Sequence, residues 1–304
     1  MGGKRLRPIS LIMAYWSYSD EIEKIMGPSL CIELLHTSSM IFDDIMDEDD
    51  FRRNNPGVQK KCKEIFLDKN SEINYNGNIF SKASKRYAAS RSILIGLLAE
   101  ILSRKVLLES GFSKEKICRC LQIMDEGYAE LINGQTMDLE FESRKSISED
   151  EYLDMIEKKT ASLFSAGMQI GAVLGGGDPA IFDRYARLAG TAFQIQDDLM
   201  DINPEYKKGR TLGGDIKKGK KTLVVIKALE TLSGKEKLTD YLGKQDLSKK
   251  EINEAIDILM DCGAVSYAKK VALQNLNNAK KIISQIPNPE FFLDFADYLF
   301  YRKV

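Results

Sequence analysis

The sequence predicts an all-α fold, a single large helical bundle with residues 1–304 as one domain. Three observations carry this. Apolar residues recur at three- and four-residue steps through most of the chain. Clusters of Gly, Pro, Asn and Asp cut that pattern into helix-length pieces. Alternating strand patterns are nearly absent, and no short-period repeat is visible.

In chain order, "GGKRLRP" (2–8) places Lys4, Arg5 and Arg7 at the mouth of a first helix. After the breaker "MGPS" (26–29) comes the apolar "CIELLHTSSMI", which runs into "FDDIMDEDDFRR" (42–53). The polar stretch 67–85 reads as a mobile loop. Helical periodicity then covers 87–110, 114–135, 149–174, 180–202, 220–232, 249–286 and 290–304. "SILIGLLAEIL" and "FSAGMQIGAVLGG" are apolar around most of their circumference and read as central helices wrapped by others. Small residues in the second permit close helix approach or leave a cavity.

The bulk numbers exclude several classes. Net charge is -1, so no global field calls for nucleic acid or an acidic membrane. Five scattered cysteines show no zinc spacing and fit reduced thiols in a cytoplasmic protein. A single histidine, His36, leaves little room for a His-based triad. No signal peptide is visible, and no run approaches the ~20 apolar residues of a membrane span.

Chemistry enters with the carboxylates. Asp43, Asp44 and Asp47 stand at i, i+1 and i+4, so they share one helical arc. Asp197, Asp198 and Asp201 repeat that D-D-x-x-D spacing, again at the end of an apolar helix. One triplet alone is as well explained by a solvated acidic turn. Two facing triplets would repel each other unless cations sat between them. Oxygen donors without Cys or His select a hard ion, most simply Mg²⁺, which completes its shell with water and phosphate. The spacing therefore points to a diphosphate clamp. Arg52 and Arg53 follow the first motif, Lys158 and Lys159 lie in "EKKTA", and "KKGRTLGGDIKKGKKTL" supplies further cations. Arg forks and Lys point charges both suit phosphate oxygens. Taken singly, most of these are solvated surface cations.

With "GGKRLRP", "ELLHTSSMIFDDIMDEDDFRR", "NGQTMD", "KKTASLF", "FQIQDDLMD" and "GGDIKKGKKTL" in order, the chain resembles the trans-isoprenyl diphosphate synthases of the polyprenyl synthetase family. The resemblance spans nearly the whole chain. It implies an isoprenoid-synthase bundle around an elongated cavity, a homodimer, and Mg²⁺, three per site. It implies that Asp43, Asp44, Asp47, Asp197, Asp198 and Asp201 bind the metal. Arg52, Lys159, Arg210 and Lys220 would contact the allylic diphosphate, and Lys4, Arg7, His36 and Arg53 that of isopentenyl diphosphate. Thr160 and Gln194 would lie near the reacting carbons. Asp43, Asp44, Asp47, Lys159, Thr160, Gln194 and Asp197 form the expected catalytic set. His36 is seven residues before Asp43, two turns away on the same face; by itself it reads as a core histidine.

The implied reaction is ionisation, condensation and elimination. It asks for positioning, charge stabilisation and exclusion of water rather than a strong base. Product length should depend on the turn below the first motif. Ser38 and Ser39 are small there, where family members with a bulky aromatic stop early. An open pocket would give geranylgeranyl diphosphate or longer, with Leu34, Leu35 and Cys31 lining the next turn. Alternatively, the serines serve packing, or another helix supplies the floor.

The sequence also departs from the family. One or two helices usually precede "GGKRLRP", so the usual N-terminal helices are expected to be lacking. Arg91-Ser92 stands where Gly-Asp is usual, Phe42 where His is common, and Arg210 where Lys is. None of these removes a metal ligand. Two rival readings remain. A class I terpene cyclase would turn over an allylic diphosphate alone. A subunit of a heteromeric prenyl synthase would tend to lose Asp-rich motifs.

Overall fold

A computed structural model describes residues 4–52, 55–204, 212–231 and 236–301. Arg53 and Arg210 lie outside the described residues. Helices run as α1 (Leu6–Trp16), α2 (Ile22–Met26), α3 (Leu30–Met46), α4 (Val58–Leu67), α5 (Ala83–Leu108), α6 (Lys114–Ser143) and α7 (Glu149–Ile156). A π-helical turn, Glu157–Ala161, leads into α8 (Ser162–Gly175) and α9 (Pro179–Asp201). Then come α10 (Gly214–Lys218), α11 (Leu223–Glu230), α12 (Lys249–Asp261), α13 (Ala264–Ile283) and α14 (Glu290–Tyr301). A two-residue hairpin, β1 (Phe51–Arg52) with β2 (Asn55–Pro56), follows the first acidic motif.

Local sequence sets these boundaries. Ser148 and Ser248 each form a capping box with the glutamate three residues on, opening α7 and α12. Asp178 caps α9, with Pro179 in its first turn. Each such cap stabilises its helix by about 1 kcal/mol. The pattern read as one helix over 249–286 is two, because Gly263 takes a left-handed conformation (φ 80°) between α12 and α13. The stretch 67–85 is not a bare loop. Asn74 pairs with Lys82, and α5 begins at Ala83.

The central helix α8 explains why the bundle holds together. Leu163, Ala166, Ile170 and Leu174 enter one core with α1, α3 and α6. Phe164, Met168 and Ala172 enter a second core with α9 and α11 to α14. Those two sets are opposite stripes of one helix.

The other expected central helix behaves differently. On α5 the buried face is small: Ala88, Ser92, Gly96, Ala99 and Ser103. Leu94, Leu98 and Ile101 are exposed, and among its large residues Leu107, at its end, is buried. The small stripe lets α3 approach closely, and the Phe42 ring lies against Gly96. One expectation about membranes also changes. The run Ile22–Met46 is long and apolar enough by composition to cross one. Gly27 and Pro28 interrupt it, and 44% of its apolar window is buried in the bundle.

Candidate active site

The first acidic motif ends α3. Arg52, held by the hairpin, donates from Nε to Asp44 Oδ1 at 2.8 Å and from Nη2 to Asp43 Oδ2 at 2.9 Å. Burial raises the Asp44 carboxyl above its usual value, with Arg52 pulling the other way. Lys159 Nζ lies 3.9 Å from Asp43 and Lys218 Nζ 3.6 Å from Asp47.

The second motif ends α9, and neutral donors orient its Asp198. The Tyr152 hydroxyl donates to Asp198 Oδ2 at 2.6 Å, and Gln194 Nε2 donates to Asp198 Oδ1 at 2.8 Å. Thr160 in turn donates to Gln194 Oε1 at 2.9 Å. Asp201 accepts from the backbone N–H groups of Gly214 and Asp215 at 3.2 and 3.0 Å, tying α9 to α10. Burial, then the charges of Asp215 and Asp197, push the Asp198 carboxyl well up, against its two hydrogen bonds.

Two lysines join the motifs. Asp138 on α6 accepts from Lys159 Nζ at 2.5 Å, and Lys220 Nζ lies 3.6 Å from it. Burial disfavours the Asp138 charge, but the two lysines outweigh it and hold this carboxyl below its usual value. Burial likewise disfavours the Lys220 ammonium. Asp138, Asp215, Asp47 and Asp198 together outweigh that and raise its pKa. Lys220 thus senses both acidic motifs at once.

The π turn places Lys159 and Thr160 here. Such turns recur at functional sites. Gly134 on α6 makes room for it, since a Cβ there would meet Lys159 N at 2.3 Å. Gln135, beside that glycine, is buried with an unpartnered Nε2.

Arg7 Nη1 is 3.0 Å from His36 Nε2, and its guanidinium sits 4.4 Å from the Phe164 ring centre. Lys4 lies over Tyr298. Ser38 is fully buried with its Oγ 3.2 Å from the Tyr128 hydroxyl, while Ser39 donates to the His36 carbonyl at 2.9 Å.

Among the described residues, no three His, Cys, Asp or Glu side chains form a ready-made metal cage. The donor set still suits a hard cation. Both triplets offer oxygen only, and burial, with the charges of Asp215 and Asp197, disfavours the Asp198 carboxylate, which a divalent ion would stabilise.

Sequence reasoning missed Asp138, Tyr152, Asp215 and Tyr128 as site residues. Asp138 closes the quoted "NGQTMD", and Asp215 lies inside "GGDIKKGKKTL", so those motifs carried a signal. Tyr152 and Tyr128 carried none, because only the fold brings them to Asp198 and Ser38.

The family model for polyprenyl synthetase matches residues 1–259. The chain belongs to the polyprenyl synthetase family. It is 32% identical to a geranylgeranyl diphosphate synthase of Methanosarcina mazei over 309 residues, covering 99% of this chain and 86% of that one. It is 30% identical to a geranylfarnesyl diphosphate synthase of Natronomonas pharaonis over 326 residues, covering 99% and 87%. The solved geranylgeranyl pyrophosphate synthetase of Geoglobus acetivorans superposes with a TM-score of 0.82 at 32% identity, covering 99% of this chain and 88% of that one. The bundle is the isoprenoid synthase fold, and the chain is a polyprenyl diphosphate synthase.

Proposed function

We propose that this synthase condenses an allylic diphosphate with isopentenyl diphosphate in a single catalytic unit, giving geranylgeranyl diphosphate or a longer product. The observation that carries this is the π turn, whose Lys159 Nζ lies 3.9 Å from Asp43 of the first motif while the adjacent Thr160 bonds Gln194, which donates to Asp198 of the second. The relatives that make geranylgeranyl and geranylfarnesyl diphosphates support the product range.

In this reading Asp43, Asp44 and Asp47 hold Mg²⁺ from one side and Asp197, Asp198 and Asp201 from the other, three ions per site. When bound, the ions supply Lewis-acid stabilisation of the departing diphosphate. Lys159 and Lys220, fixed by Asp138, present charge to the same oxygens. Arg52 and Arg210 do so from the hairpin and from the segment after α9. Arg7 and His36, with Lys4 and Arg53, hold isopentenyl diphosphate. Thr160 and Gln194, joined by a hydrogen bond, face the reacting carbons. The carbon–oxygen bond of the allylic diphosphate breaks first. The isopentenyl double bond then attacks the allylic cation, and a proton leaves to the released diphosphate.

The exposed Leu94, Leu98 and Ile101 of α5 form an apolar face of the kind that marks an interface, which supports a homodimer through α5. Five free thiols suit a cytoplasmic enzyme.

Labelled isopentenyl diphosphate, Mg²⁺ and each allylic primer in turn test the function, with the products sized. Turnover of the allylic diphosphate without isopentenyl diphosphate would instead identify a terpene cyclase.

A further inference from the structure

One face of α6 runs from the charged site into the core. Asp138, Gln135, Leu131 and Tyr128 are spaced by three, four and three residues, so they share a stripe. The stripe drops about 15 Å along the helix. Asp138 at its head holds the two lysines, and Gln135 below carries the unpartnered amide. Tyr128 at its foot is buried, and its hydroxyl meets Ser38 across from α3 at 3.2 Å. Below this pair the interior is closely filled by Leu35, Cys31, Met124 and Leu107.

We infer that the Tyr128 ring, clamped by Ser38, is the floor of the hydrocarbon pocket and sets the length of the product. This rests on the prenyl-transfer reading above. Ser38 is small, but it leaves no open shaft, because an aromatic side chain reaches it from the neighbouring helix. The paired hydroxyls suit such a stop. In an apolar interior each hydroxyl would be costly alone, and together they satisfy one another. The hydrogen bond therefore holds the ring in one orientation across the path of a growing chain. Length control moves from α3, where the sequence pattern points, to α6.

The test is product length. Wild type, Tyr128→Ala and Tyr128→Phe are incubated with labelled isopentenyl diphosphate, Mg²⁺ and an allylic primer, and the dephosphorylated products are sized by chromatography. Tyr128→Ala should lengthen the longest product by one or more isoprene units. Tyr128→Phe, which keeps the ring, should leave the longest product within one unit of wild type. If Tyr128→Ala does not fold, as read by circular dichroism, Tyr128→Leu is measured in its place with the same expectation. An active Tyr128→Ala or Tyr128→Leu with an unchanged product ladder overturns the inference while leaving prenyl transfer standing. A wild-type chain that incorporates no isopentenyl diphosphate overturns the functional reading, and this inference with it.

Discussion

Asp43, Asp44 and Asp47 end α3, and Asp197, Asp198 and Asp201 end α9 with the same spacing, yet different chemistry holds the two triplets. Cations hold the first: Arg52 forks across Asp43 and Asp44, with Lys159 and Lys218 nearby. Around Asp198 of the second, a phenol and an amide donate, and two backbone N–H groups donate to Asp201. Neutral donors orient the Asp198 carboxylate without cancelling its charge. Burial first, then the charges of Asp215 and Asp197, raise that carboxyl. The α3 motif is already partly neutralised, and its cations are also groups that a diphosphate would attract. Identical spacing thus places Asp44 under a guanidinium and Asp198 under a phenol and an amide.

The largest effect should come from removing a carboxylate. Asp43→Asn and Asp198→Asn should each lower kcat by about 10²–10³-fold, the scale for losing one group that stabilises developing charge. Steady-state prenyl transfer reads this. If only one substitution matters, the motifs do not act together. Next is the bridge between them. Asp138→Asn removes the negative charge that Lys159 and Lys220 share and should cost about 2 kcal/mol of stability in denaturant melts. An unchanged midpoint would mean the bridge contributes nothing.

Tyr152→Phe is gentler. It removes one donor to Asp198 and keeps the ring, and should weaken magnesium binding about tenfold, measured by the Mg²⁺ dependence of rate. Arg52→Ala should not reproduce that loss if the two motifs are held as differently as described.

The smallest effect is a pH dependence of opposite sign at two carboxylates. Asp138 is held below the ordinary value of about 3.9. Its contribution to stability is present above that value and is lost as pH falls through the folded one. Asp198 is raised. The folded chain holds that proton more tightly than the unfolded chain, so stability falls as pH rises from about 3.9 toward the folded value. In chelator the melting temperature should show that fall, at about 2–4 °C per kcal/mol. Magnesium or Asp198→Asn should flatten it. A fall that persists in Asp198→Asn would assign it to another group.

Much of this was legible in the sequence for a simple reason. The D-D-x-x-D triplets and the Lys159-Thr160 pair are local, and spacing along a helix fixes their mutual placement. The bundle itself followed from periodicity. What was not legible is tertiary. Nothing along the chain says that Asp138 on α6 meets Lys159 on the π turn, or that Tyr152 reaches Asp198. The α5 segment shows the limit in another way. A run apolar on every side does not reveal which side faces inward, and here the small residues do while the leucines face out. Tyr128 belongs to the same category. The small Ser38 and Ser39 pointed to an open space, and an aromatic ring ninety residues away reaches into it.

The π turn at Glu157–Ala161 accommodates one residue more than an α turn would. Excising a single residue there would let the backbone close into an ordinary α turn, with α7 and α8 keeping their phase. The residues of the turn would be redistributed around the helix, so Lys159 would swing off Asp138 while Tyr152 stayed beside Asp198. The reach of that lysine therefore hangs on the length of one turn, a constraint that residue identity alone does not express.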